Sequence, residues 1–217
     1  LDEMVAHWWE QAEIHGVLPL DDRGVELFGA RYRKNSPHPE DRRYVYRPPM
    51  SPMPSQASGG LGGRNVDLIA TVTYKKGDEG VLYATGSQNS GVSFFVQNDR
   101  LVLDYNAFGD HAIVESSSVI PDGDHEFRVK LRRGDGMAGN LEIEIDGVSA
   151  GSVQVPLYMR MISSLGPSVG YDHGSAVSTR YAAPYEYTGD LHEIVLESSR
   201  AKPDVASAEA KAEMNRQ

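Results

Sequence analysis

Three carboxylates alternate in Glu142-Ile143-Glu144-Ile145-Asp146. On a strand, alternate side chains share a face, so these would line up at steps of roughly 6.5–7 Å. A carboxylate pair about 5–5.5 Å apart serves a retaining glycosidase, and a wider pair an inverting one. The same run also reads as an ordinary strand, with Ile143 and Ile145 inward and the acids in water, turning at Asp146-Gly147. No Trp lies nearby to hold a sugar ring, which favours the second reading. No residue is assigned a catalytic role.

Aromatic residues offer a binding chemistry instead. Tyr171, Tyr181, Tyr185 and Tyr187 cluster within 17 positions and are candidates for stacking on carbohydrate. Packing of a loop against a sheet would use the same residues. Trp8 and Trp9, the only two tryptophans, are adjacent, so on a helix one must turn from whatever buries the other. Docking of that helix on another domain is the expected role.

Other constellations carry less. His111, His125 and His173 each follow an Asp, and His192 lies near the end of the chain's β pattern, but no His-x-His or His-x-x-x-His spacing occurs. Bringing Asp110, His111, Asp172 and His173 together would need the fold to do it. Pro121-Asp122-Gly123-Asp124-His125 looks like a calcium loop in miniature, yet Arg133 stands where the distal acid ligand belongs, so a turn is expected. No metal site is therefore assigned. There is no Gly-x-Ser-x-Gly elbow. Gly59-Gly60-Leu61-Gly62-Gly63 precedes a strand and lacks the Lys-Ser/Thr of a phosphate loop.

The elements that must position these residues change character along the chain. Residues 1–15 read as an amphipathic helix, with Leu1, Met4, Val5, Trp8 and Ala12 on one side, Asp2 and Glu3 in the first turn, and Gly16 as a cap. Pro19 then ends helical hydrogen bonding, and Asp21-Asp22 would cap a short helix through Leu27-Phe28. Arg42–Arg47 alternates like a strand. Residues 48–63 hold four Pro and four Gly and read as an extended linker between two units. Beyond it the period becomes two: Val66–Tyr74, Gly80–Ser87, Gly91–Gln97, Arg100–Asn106, Ala112–Ser118, Phe127–Leu131, Leu141–Ile145 and a closing Leu191–Glu197, parted by turns such as Asn98-Asp99. Many short strands with Gly and Asp turns predict a mostly β protein, an antiparallel β-sandwich preceded by a short helical segment. The Ala/Glu/Lys-rich end, 200–217, reads as a frayed tail.

Composition bounds what such a domain does. In 217 residues there are 31 acids, 21 bases and no Cys. That excludes disulfides, thiolate-held metals and a cysteine-derived nucleophile within the chain. The excess acid falls in residues 51–200, with 19 acids against 11 bases. A negative domain is a poor binder of nucleic acid or anionic membrane, and no stretch approaches the ~20 apolar residues of a membrane span. Leu1 stands first in place of Met, and the expectation is that the sequence belongs to something longer.

Two stretches together resemble a known family. Trp8-Trp9-Glu10-Gln11-Ala12 running into Val17-Leu18-Pro19-Leu20-Asp21-Asp22 is similar to the end of the catalytic domain of large bacterial arylsulfatases. Gly80–Gly86, Gly91–Val96, Leu101–Asn106 and Tyr185–Gly189 resemble the concanavalin/laminin-G-like sandwich that follows there. The resemblance implies that 1–47 is the tail of an alkaline-phosphatase-like catalytic domain and 64–199 a non-catalytic accessory sandwich, which stabilises that domain or shapes its cleft. Its partner would be the upstream sulfatase domain. Calcium and a formylglycine are implied for that parent, but no Cys/Ser-x-Pro-x-Arg motif lies in this chain. The family implies a soluble bacterial protein, cytoplasmic or periplasmic. The alternatives are a carbohydrate-binding module of laminin-G or lectin type, with a glycan as partner, and a sandwich-fold glycosidase using Glu142 and Glu144.

Overall fold

The computed structural model describes residues 1–15, 41–48, 50–55, 58–61, 64–159 and 165–199. The chain divides into two units, residues 1–39 and 40–217. In the first, α1 (Asp2–Ile14) carries Asp2 and Glu3 in its first turn, where the helix dipole favours acids. The backbone N–H of His15 closes its last turn on the Gln11 carbonyl at 3.0 Å. Ala12 is its only buried residue. The Gly16 cap, the helix through Phe28 and the tail at 200–217 lie outside the described residues.

The second unit is the expected antiparallel sandwich. Its strands are β1 (Arg42–Tyr46), β2 (Asn65–Tyr74), β3 (Gly80–Ser87), β4 (Ser90–Gln97), β5 (Arg100–Ala107) and β6 (Asp110–Glu115). They continue with β7 (Gly123–Arg133), β8 (Gly139–Ile145), β9 (Val148–Val155), β10 (Ser168–Val169) and β11 (Asp190–Ser199). One sheet has the order β1-β11-β2-β7-β8-β9, the other β10-β3-β4-β5-β6. Every ladder between named strands is antiparallel.

Alternation explains the core. Val66, Leu68, Ala70, Val72 and Tyr74 of β2 face Phe127, Val129 and Leu131 of β7, and all are buried between the sheets. Leu141 and Ile143 of β8 extend that layer, and Leu82, Phe94, Val96, Leu101, Leu103 and Tyr105 meet it from the other sheet. Each fully buried Leu or Phe contributes about 1.5–3 kcal/mol relative to exposure.

Two expected boundaries differ from the structure. The strand grouped with the N-terminal piece is the edge strand of the six-stranded sheet, since Arg42–Tyr46 pairs with Ile194–Ser198. Its Tyr44 and Tyr46 rings stack 6.4 Å apart and join the core. The Pro/Gly-rich stretch 48–63 lies against the sandwich wherever it is described. Leu61 is buried in the core, the Gly59 N–H donates to the Tyr46 hydroxyl at 3.2 Å, and Met50 and Met53 pack on the core. Proline prevents this stretch from joining a ladder but not from burying apolar side chains.

Candidate functional site

The two sheets treat their outer faces differently. On the six-stranded sheet that face is a ladder of charges. Lys130 pairs with Glu144, Arg132 with Asp67, Arg128 with Glu126 at 2.8 Å and Arg43 with Glu197 at 3.2 Å. Glu142 and Glu144 sit in this ladder, opposite Lys130 and Arg128. Glu144 is engaged by Lys130, and neither carboxylate lines the cleft described below or the one beside Asp67 and Arg132. The run is an ordinary strand with Ile143 buried behind it, as the second reading has it, but Glu144 is itself buried beside Lys130 and Ile145 is only half-buried.

The outer face of the five-stranded sheet is covered. Val81, Ala84, Phe95 and Val102 form a second buried cluster there, and Tyr181 and Tyr185 pack onto it. These rings come from the segment 170–189, which crosses the sheet before entering β11. Tyr181 stacks on Tyr185 at 5.0 Å, and both stand edge-on to Phe95, at 5.1 and 6.4 Å. The Tyr181 hydroxyl donates to Asp172 Oδ2 at 2.6 Å and lies 2.7 Å from Ser93 Oγ. Asp172 Oδ2 also accepts the Val177 N–H at 2.9 Å. The Tyr185 hydroxyl donates to Glu79 Oε2 at 3.1 Å and is held up to a pKa of about 12, by burial first and then by the Glu79 charge. Burial pushes the Asp172 carboxyl above the usual range, and the Tyr181 and Val177 hydrogen bonds only partly offset it.

The far end of the cover is tied down by fully buried polar groups. Asn106 donates to the carbonyls of Gln88 at 2.8 Å and Val177 at 3.2 Å, and accepts the Gly109 N–H at 2.8 Å. Asp104 binds His111 Nδ1 at 2.9 Å. Buried polar groups with every partner supplied specify one arrangement of the segment over the sheet. Two of the four candidate tyrosines, Tyr181 and Tyr185, are thus half-buried and packed against this cluster.

The other two line an open cleft of about 460 Å³ where the cover enters and leaves. Tyr171 follows β10 after Gly170. Glu186 and Tyr187 are set by a bridge from Glu186 to Val81, with the Tyr187 N–H donating to the Gly170 carbonyl at 2.9 Å. Gly80 makes this possible: its φ is +123°, and a Cβ there would overlap the Glu186 backbone. Asp190, Leu191 and His192 come from the start of β11, and Pro48 and Met50 from the chain after β1. Its lining mixes apolar residues, among them Met50, Val169 and Leu191, with polar ones, which is the usual composition of a small-ligand site.

Each polar group in that lining has a definite state. The Tyr187 hydroxyl is buried with no hydrogen-bond partner among the described residues. Burial, followed by the charges of Asp78, Tyr74 and Asp190, raises its pKa, so it stays a neutral donor. Thr73 Oγ1 donates to Asp124 at 2.6 Å, so at 2.9 Å from Thr73 the His192 Nε2 must donate. Glu186 and Asp190 are exposed and have no ion-pair partner among the described residues.

The remaining candidates are placed as follows. Trp8 and Trp9 meet edge-to-face at 4.8 Å and are 46% and 52% exposed. Asp110 and His111 stand at the β5–β6 hairpin, and His111 binds Asp104, not Asp172 or His173. His125 Nδ1 meets Asp146 Oδ2 at 2.7 Å and Nε2 meets the Pro121 carbonyl at 2.8 Å, so the Pro121–His125 stretch is a hydrogen-bonded turn. Among the described residues no three His, Asp or Glu converge to hold a metal, and calcium enters none of the chemistry below. No helix among them is long and apolar enough to cross a membrane. Glu186, Asp190 and Met50 were not singled out from the sequence, and His192 only as one of the histidines weighed for a metal. Glu186 lies between two candidate tyrosines and was legible in principle; Met50 meets the others only through the fold.

No family model matches the sequence, and no curated protein does. Among solved structures, the chain is similar to the CBM40 of Ruminococcus gnavus IT-sialidase bound to alpha2,3 sialyllactose. Identity there is 8% over 71% of this chain and 90% of that one, with a TM-score of 0.47. Domains LG4-5 of the mouse laminin alpha1 chain are 15% identical over 72% of this chain and 39% of that one, at 0.46. The K499G mutant of NanB sialidase from Streptococcus pneumoniae is 10% identical over 76% and 27%, at 0.49. These likenesses concern the sandwich and leave the ligand to be argued from the cleft.

Proposed function

We propose that the protein is a carbohydrate-binding module and that the cleft between Tyr171 and Tyr187 receives the glycan. The observation that carries this is the juxtaposition of two tyrosines with unpaired Glu186 and Asp190 in the lining of one open cleft. A sugar ring offers a C–H face to an aromatic side chain and hydroxyl donors to a carboxylate, and the cleft supplies both partners. The test is retardation in glycan-containing native gels with Tyr171→Ala as the control. Binding is expected to fall about tenfold in the variant, a loss of about 1.4 kcal/mol. Equal retardation of both proteins would contradict the assignment.

A second reading rests on α1. Leu1, Met4, Val5, Trp8 and Trp9 are 46–94% exposed on one short helix, an apolar surface suited to docking on a neighbouring domain. It supports the accessory role that the arylsulfatase resemblance implies. On that reading the protein turns over no aryl sulfate at any calcium concentration, and hydrolysis of a chromogenic aryl sulfate by the pure protein would overturn it.

A further inference from the structure

The charges around the cleft select which glycan enters. Its lining holds Glu186 and Asp190 and no Lys or Arg. The nearest basic residue in sequence, Arg47, is turned to Glu193 at 3.1 Å. Lys75 and Lys76, on the turn after β2, give their backbone N–H groups to Asp78 and Asp122, so two acids and two bases stand together at this end of the sandwich, outside the lining. Asp78 reaches the cleft wall, because a Cβ on Gly189 would lie 2.6 Å from its Oδ2. His192 is the one histidine in the lining, and its Nε2 is already directed to Thr73.

A carboxylate or sulfate brought close to one of these acids is repelled, the more so at low salt. An ammonium in the same place is attracted, and the aromatic rings of Tyr171 and Tyr187 in the lining add a cation–π attraction. From this we infer that the cleft is selective by charge: it binds a sugar bearing a free amino group more tightly than its neutral counterpart, and it rejects sialylated or sulfated glycans. This inference rests on the carbohydrate-binding reading and gives that reading a substrate class.

Two matched pairs of probes test it on the full chain. Glucosamine trisaccharide and N-acetylglucosamine trisaccharide differ in an amine against an amide. Lactose and sialyllactose differ in one carboxylated sugar. Calorimetric titration at low salt is expected to give at least a threefold tighter Kd for the amine than the amide, and weaker binding of sialyllactose than of lactose. The amine preference should fall towards unity in the Glu186→Gln, Asp190→Asn double variant and in 0.5 M salt. Both side chains are exposed and unpaired, so the variant keeps the fold. Glycan binding that is lost with Tyr171→Ala but indifferent to charge would overturn this inference and leave the binding reading standing. No binding of any of the four probes would overturn both.

Discussion

The tyrosines of the 170–189 segment divide into two pairs that share composition and neighbourhood but not environment. Tyr181 and Tyr185 lie over the middle of the five-stranded sheet, stacked on each other and edge-on to Phe95, with both hydroxyls engaged by carboxylates. Tyr171 and Tyr187 stand where the segment enters and leaves the sheet and line the cleft beside Glu186 and Asp190, Tyr187 with its ring packed on the core and its hydroxyl buried. The difference comes from what lies underneath. At the centre, Val81, Ala84, Phe95 and Val102 give an apolar bed that a crossing segment must cover. At the margin the strands end and a cleft remains. The same residue type therefore serves as lid in one place and as binding surface in the other.

Substitutions at the centre should break the fold and those at the margin should not. The largest effect is expected from Phe95→Ala, which removes the ring that both lid tyrosines meet; the loss is about 3–5 kcal/mol by denaturant unfolding. A loss below about 1 kcal/mol would mean the lid is held by its termini alone. Next is Tyr181→Phe, which strips the hydroxyl from buried Asp172 and Ser93 at a cost of about 1–3 kcal/mol. Tyr171→Ala, at the margin, should cost less than about 0.5 kcal/mol by the same measurement. A large loss there would place Tyr171 with the lid.

The smallest effect separates the regions by pH. Asp172, beneath the lid, has its pKa raised by burial, so its contribution to stability is full below the unfolded-state value near 4 and is lost as pH rises through the higher folded value. Asp146, at the β8–β9 turn of the open sheet, behaves oppositely. Burial raises its pKa, but the Glu126 N–H and His125 outweigh that and leave it lowered. Its stabilisation is present above the unfolded value and is lost as pH falls through the folded one. Asp172→Asn should therefore gain in Tm relative to the parent as pH rises from 4 to 7. Asp146→Asn, a residue that tolerates the local φ of +52°, should lose less than the parent on acidification. The same sign for both would deny that the two carboxylates differ.

How much of this was legible in the sequence follows the same division. The six-stranded sheet announces itself, because β2 and β7 have one wet face and alternate cleanly, as in Phe127, Val129 and Leu131 with Arg128 and Lys130 between them. β4 and β5 are buried on both faces, so Val92–Val96 and Leu101–Leu103 read as continuous apolar runs. That continuity signals a cover, and Asp104 and Asn106 set within it signal that the cover brings polar partners. β9 is hidden because Val148 is 70% exposed and only Ala150 and Val155 are buried, which leaves no strong pattern. β1 seemed separate because the Pro-rich stretch after it looks like a break, whereas its Tyr44 and Tyr46 belong to the core. The tyrosine cluster was visible as a cluster. Its division into lid and cleft depends on the path of the segment over the sheet, and no local spacing encodes that path.

The most direct test of that division is a ¹H–¹⁵N titration of the protein with glucosamine trisaccharide, reading which amides move. The predicted shifts fall on Val169–Tyr171, Glu186–Tyr187 and Gly189–His192, together with Met50, while Ser93, Val177 and Tyr181 stay unchanged. Shifts centred on Ser93 and Tyr181, or on the Phe108-Gly109 hairpin, would contradict it, as would a spectrum that the saccharide leaves unaltered.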